Sequence, residues 1–222
     1  MRTIRTNFLK DEIELDNCLV NTICIEDMKT YVNFELFLNY DFLYNDIKLE
    51  IKEDDKLIDS DNFFYVSNIY NLDLNSKKNI NALYKILKGL YGKSLADDIK
   101  ELKDKCFKIV NDISIDFDIE LVVNNDIAID DLFKILNLRF NDDTNTIVER
   151  LIKFVEIMYE LNKTDVFFIN NLFDSLSDDE INSFIEKCKY LNVYIINIER
   201  YQRRRISELE KRTLYDKDFC QI

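Results

Sequence analysis

Carboxylates crowd one stretch of this chain. Asp116, Asp118 and Glu120 alternate along residues 115–123, and Asp126, Asp130 and Asp131 follow closely. Calcium, a hard cation, takes about six to eight oxygen ligands, which clustered carboxylates and backbone carbonyls can supply. The plainer reading is a solvated strand edge followed by a helix start, where Asp130 and Asp131 complement the helix dipole. A second grouping is basic. From Lys77 to Lys108 there are nine lysines against four acids, and from Arg200 to Arg212 six bases against two. A net charge of -13 taken alone argues against nucleic acid and acidic membrane surfaces, but such segregation points to two surfaces with opposite tasks. The plainer reading of the lysines is the solvated face of a helical hairpin. A third pattern, Glu50-Ile51-Lys52, resembles part of a metal-dependent nuclease site, with Asp116, Asp118 and Glu120 as possible holders of two metals. The same residues also fit a half-exposed strand with Ile47, Leu49 and Ile51 inward and Lys48, Glu50 and Lys52 outward.

Composition narrows the chemistry. The chain has no histidine, which removes the usual general base and the Ser-His-Asp triad. It has two glycines, Gly89 and Gly92, and no proline, so a glycine-rich phosphate loop is excluded. The five cysteines, Cys18, Cys24, Cys106, Cys188 and Cys220, are odd in number and form no Cys-x-x-Cys pair. Buried reduced thiols in a cytoplasm are the expectation. No apolar run approaches the roughly 20 residues of a membrane span, and residues 1–6 lack an apolar leader segment. With 222 residues, 47% of them hydrophobic, a sizeable core is expected.

The elements that must position these groups are legible in part. Val166-Phe167-Phe168-Ile169 reads as a strand. Ser177-Asp178-Asp179-Glu180 is a capping box opening a helix with Ile181, Phe184, Ile185, Cys188 and Leu191 at helical spacing. Residues 193–198 close the unit as a second strand. Neither strand alternates, which predicts a βαβ unit whose parallel strands are covered on both faces. Upstream, Asn21–Ile25 reads as a buried strand, Asp27 caps a largely buried helix, and Phe63–Val66 is another strand. In nucleotide-binding α/β folds the phosphate loop lies between the first core strand and its helix; here Glu26 and Asp27 stand there.

Ser76 caps a helix with Ile80, Leu83, Leu87 and Leu90 on one face, and Gly92 suits a left-handed end. Ser94 starts the next helix, whose Leu95, Ile99, Leu102, Cys106, Ile109 and Ile113 form a heptad seam. Thr146 to Glu149 is a further capping box. The expected organisation is α/β, with a discontinuous head over residues 1–75 and 160–222 and a helical leg inserted over 76–159.

In order and spacing, four segments resemble a known family, the small DNA-end-binding adaptation protein of type II-A CRISPR systems in its short form. They are residues 23–27; Phe64 to Asn68 continuing through Leu72 to Ser76; Asn125 to Leu136; and Val166 to Asn170 with the capped helix after it. The resemblance implies a RecA/P-loop-like α/β head that has lost ATP binding, and Asn170 and Asn171 stand where such a fold places a strand-end acid. It implies a non-catalytic homotetrameric ring, held by calcium, that takes double-stranded DNA ends through a lysine-lined hole. It further implies partnership with the CRISPR spacer integrase complex and the RNA-guided nuclease. On this reading Lys77, Lys78, Lys85, Lys88, Lys93 and Lys100 face DNA, and Asp118, Glu120, Asp126 and Asp131 hold calcium. No membrane and no nucleotide partner are expected. The alternatives are a metal-dependent nuclease and a protein-interaction scaffold without DNA contact.

Overall fold

The computed structural model describes residues 2–6, 9, 11–15, 19–39, 49–54, 56–58, 63–115, 127–203, 208–218 and 220–222. Its elements in chain order are β1 (Arg2–Thr6), β2 (Ile13–Glu14), β3 (Val20–Ile25), α1 (Met28–Asn39), β4 (Leu49–Glu53), β5 (Lys56–Ile58), β6 (Phe63–Val66), α2 (Lys77–Tyr91), α3 (Ala96–Ser114), α4 (Ile129–Ile135), α5 (Ile147–Asn162), β7 (Val166–Asn170), α6 (Leu172–Ser175), α7 (Asp178–Leu191), β8 (Tyr194–Glu199) and β9 (Glu210–Tyr215). The fold is α/β and divides into two compact units, residues 1–74 with 143–222, and residues 75–142.

The first unit is built on a parallel five-stranded sheet in the order β6-β7-β8-β3-β9. Numbered by their place in the chain, these strands read 5-1-4-3-2 from the β9 edge. The expected βαβ unit forms around α7: β7 and β8 are neighbours, registered Val166 to Tyr194 through Asn170 to Ile198. The Ser177 capping box is complete, with the serine hydroxyl accepting the Glu180 amide and the Glu180 carboxylate accepting the Ser177 amide. One face of the sheet, carrying Ile23, Ile25, Phe168, Ile196 and Ile198, packs with α1 and with Ile4 and Ile51 of an antiparallel sheet ordered β2-β1-β4-β5. Arg2 locks that second sheet to the start of β7 through a two-pronged pair with Asp165 at 2.6 and 2.9 Å. On the other face α5 packs edge-on through Phe154 against Phe64 and lies beside α7, with Lys187 paired to Glu156.

Helix α5 therefore packs in the head, although the sequence reading divides the chain at 160. Its buried stripe of Leu151, Phe154, Val155 and Met158 requires a sheet face to cover it. Truncating a fully buried ring such as Phe168 costs about 3–5 kcal/mol.

The second unit contains α2, α3 and α4. Ser76 caps α2 as its position requires, accepting the Asn79 amide. Two local expectations are corrected. Gly92 is not left-handed but right-handed, at φ -57°. Its lack of a side chain serves close approach instead, since a Cβ there would lie 2.5 Å from the Lys88 carbonyl oxygen. Ser94 does not cap α3; its hydroxyl donates back to the Tyr91 carbonyl, and the helix begins at Ala96 without a side-chain cap. The left-handed helix ends fall to Lys163 and Asn192, at φ 56° each; asparagine tolerates this conformation better than most residues.

Candidate functional site

Helix geometry places the lysines of the second unit. At 3.6 residues per turn, Lys77, Lys78, Lys85 and Lys88 share an arc of about 100° on α2, beside the apolar arc of Ile80, Leu83 and Leu87. On α3, Lys100, Lys103, Lys105 and Lys108 all lie off the Leu95-to-Ile113 seam. The six candidate lysines, Lys77, Lys78, Lys85, Lys88, Lys93 and Lys100, are all exposed. Lys88 pairs with Asp130 at 2.8 Å. Among the described residues the other five make no ion pair. Their charge stands open to solvent.

The seam is only partly covered among the described residues, with Ile99 and Cys106 half-buried. Helix α3 buries none of its residues, and Ile109 and Ile113 are 60% and 48% exposed. Leu90 and Tyr91 at the end of α2 are exposed as well. The described residues of this chain leave the end of that apolar stripe, at Ile109 and Ile113, open.

Of the candidate calcium ligands, Asp118, Glu120 and Asp126 lie outside the described residues, as does the alternating stretch that holds Asp116. Asp131 is described and committed locally: one oxygen accepts the Ala128 amide at 3.0 Å, the other pairs with Lys134 at 3.2 Å. The Ala128 amide, with Lys134, holds its carboxyl below the usual range. The neighbouring Asp130 differs. Its Oδ2 takes Lys88, while its Oδ1 is buried without a hydrogen-bond partner. Among the described residues no three acidic or thiol groups gather into a metal site.

In the head, the strand ends are filled by side chains. At the β3–α1 junction, Asp27 Oδ2 accepts the Thr30 amide at 2.7 Å, and the Thr30 side chain, then its amide, lower the Asp27 pKa. The first turn of α1, where a phosphate would bind, thus already holds a carboxylate. At the end of β7, Asn170 donates to Glu35 of α1 and accepts from the Tyr31 hydroxyl at 2.8 Å; Asn171 donates to that hydroxyl at 3.2 Å, and the Tyr65 hydroxyl reaches Glu35 at 3.4 Å. Burial, then the Glu35 charge, pushes both tyrosines up.

A second buried cluster lies towards β9. Glu210 accepts from Thr22 at 2.6 Å and from Arg212 at 2.7 Å, and Glu199 accepts from Asn197 at 3.0 Å and the Phe173 amide at 3.1 Å. Neither network is legible in the sequence, because each joins residues far apart in the chain; the unusual Asn-Asn pair ending a strand is the visible trace. Burial raises the Cys24 thiol to about 11 and also pushes Cys188 up, which disfavours both as nucleophiles. Cys220 is exposed, unlike the expected buried thiol. Glu50 and Lys52 lie 3.9 Å apart on β4, with Lys52 also 3.9 Å from Glu12 and Ile51 fully buried behind. That is the solvent-facing side of a strand, and among the described residues no metal site gathers there.

Comparison with known proteins adds lineage to this geometry. The family described as CRISPR-associated protein (Cas_Csn2) matches residues 39–219. CRISPR-associated protein Csn2 of Enterococcus faecalis is 24% identical over 206 residues, covering 89% of this chain and 90% of the relative. The protein of the same name from Streptococcus agalactiae is 23% identical over 227 residues, covering 99% and 97%. The crystal structure of Stu0660 of Streptococcus thermophilus shares the fold, with a TM-score of 0.55 at 11% identity, over 97% of this chain and 74% of that one. Among the described residues no helix is long and apolar enough to cross a membrane.

Proposed function

The chain belongs to the CRISPR-associated Csn2 family, and on that premise we propose that it binds double-stranded DNA ends, without sequence preference and without catalysis, as a homotetrameric ring stabilised by calcium. The ring serves the capture of new spacers, alongside the spacer integrase complex and the RNA-guided nuclease. The observation that carries this reading is the set of lysines Lys77, Lys78, Lys85, Lys93 and Lys100, all exposed and without ion pairs among the described residues in a chain of net charge -13. Copies facing one hole would concentrate that charge into a field far stronger than a single hairpin supplies. The exposed end of the α3 seam, at Ile109 and Ile113, supports assembly, since a second copy can bury it.

Calcium would sit where the acidic segment meets α4, taking the unpartnered Asp130 Oδ1 together with carboxylates from Asp118, Glu120 or Asp126. Its contribution there is charge neutralisation, since acidic segments of neighbouring copies repel unless a cation lies between them. The head is unsuited to nucleotide: Asp27 occupies the helix start and Asn170 is held by Glu35.

The lysine face is tested by substitution. Replacing Lys77, Lys78, Lys85, Lys93 and Lys100 together with glutamine should leave the melting temperature nearly unchanged, because all five are exposed. Duplex affinity should fall, and the slope of log K against log salt should flatten by about one for each phosphate that is no longer neutralised. An unchanged slope would remove these lysines from the interface.

A further inference from the structure

We propose that the Lys88–Asp130 ion pair is a latch on the lysine arc of α2: Asp130 stands in for a DNA phosphate and withholds Lys88, and a divalent cation that takes the carboxylate releases Lys88 to the duplex. The latch rests on the function proposed above: this arc meets DNA, and calcium is the cation. Lys88 shares its arc with Lys77, Lys78 and Lys85. Among the described residues, it is the one of these four that carries an ion pair. Its ammonium lies 2.8 Å from Asp130 Oδ2, in the first turn of α4. The pair differs from others in the same unit. Lys105–Glu101 and Lys134–Asp131 link successive turns of one helix. Lys88–Asp130 instead joins α2 to α4, across 42 positions of sequence.

Three features suit this pair to opening. The contact is partly in water, with the Lys88 side chain 53% and the Asp130 side chain 31% exposed, and such pairs hold weakly. The carboxylate is also under-supplied. Its Oδ1 is buried without a hydrogen-bond partner, and Lys88 is its described partner at Oδ2. A divalent ion brings that carboxylate twice the charge of an ammonium, and calcium takes oxygen ligands. Last, the local charges balance: Lys88 and Lys134 stand against Asp130 and Asp131. A divalent ion added to that balance repels both ammoniums. Once released, Lys88 can turn on its flexible four-carbon stem and present a point charge to phosphate. By reciprocity, a duplex bound at Lys88 raises the affinity for calcium by the same factor.

Trace acetylation of the whole chain, read by mass spectrometry at each lysine, tests the latch without DNA. Lys85, one turn away, exposed and without an ion pair among the described residues, is the internal reference. The ratio of labelling at Lys88 to labelling at Lys85 should rise about threefold in Asp130→Asn. Calcium chloride should raise it in the wild type and leave it unchanged in the variant. Should Asp130→Asn fail to fold, the calcium response of the wild type decides the matter. The second arm measures duplex affinity in calcium. There Lys88→Gln should flatten the slope of log K against log salt by about 0.9, the loss of one phosphate contact. A ratio unchanged in Asp130→Asn, or unmoved by calcium in the wild type, would overturn the latch. Duplex binding with an unflattened slope in Lys88→Gln would overturn the release to DNA and leave the function proposed above standing. A wild-type chain that binds no duplex in calcium would overturn that function and the latch with it.

Discussion

Asn170, the last residue of β7, donates its side-chain amide to Glu35 in the second turn of α1, across 135 positions of sequence. The bond ties the end of a core strand to the helix that would otherwise frame a nucleotide. Asn170→Asp turns the donor into a carboxylate facing a carboxylate. The loss should be about 2–3 kcal/mol, a fall of roughly 5–10 °C in melting temperature. The fall should shrink as acid lets the two groups share a proton. Magnesium-ATP should leave the melting temperature of both proteins unchanged. An unaltered melt in the variant, or a nucleotide-dependent rise, would contradict this role.

Glu199 is 2% exposed, and burial raises its pKa. The folded chain therefore holds this proton to higher pH than the unfolded chain does. Stability from the protonated form is complete below the ordinary value of 4.5 and is lost as pH rises through the folded value. Glu199→Gln keeps an acceptor for the Phe173 amide and removes the titration. The melting temperature of the variant minus that of the wild type should grow from pH 4.5 upward. A difference that is flat or shrinking would show that Glu199 is not the group responsible.

The central βαβ unit is legible in the sequence because its information is local: a capping box at Ser177, helical spacing after it, and apolar runs on either side. The lysine-rich helices are legible for the same reason. The closing of the strand ends is not, since the contacts of Glu35 with Asn170 and of Glu210 with Thr22 depend on which strands become neighbours. β9 escapes a reading by pattern because its sequence, Glu-Lys-Arg-Thr-Leu-Tyr, shows no alternation to mark a strand. Its buried end is held by the sheet around it, where Glu210 finds Arg212 and Thr22. Helix α5 falls with the leg in the sequence reading because chain order alone does not say which sheet face covers an amphipathic helix.

Ile109 tests assembly. In a lone chain it is 60% exposed, so Ile109→Lys should cost almost nothing in folding. If the α3 seam joins copies, the same change buries a charge where they meet. Mass photometry should then show the tetramer reduced to smaller species, with the melting temperature of the separated chains preserved. A tetramer of undiminished stability would place the interface elsewhere.

Asp130 tests calcium. Cation binding to the assembled state should stabilise it by about 2.7 kcal/mol at a hundredfold excess over the dissociation constant, which raises the melting temperature. Asp130→Asn keeps the shape and removes the charge that Oδ1 offers, and should reduce that rise. Asp131→Asn should reduce it less, since both Asp131 oxygens are already engaged. Equal calcium responses in wild type and in Asp130→Asn would remove Asp130 from the site.

The most direct measurement is topological. A linear duplex is incubated with the protein, both ends are then blocked by bulky end-bound protein, and competitor DNA is added in excess. If a ring encircles DNA entered at an end, complexes formed before blocking should resist competition, and DNA blocked beforehand should not load. Equal binding to open, pre-blocked and covalently closed DNA, with the same rapid exchange in each, would contradict the account.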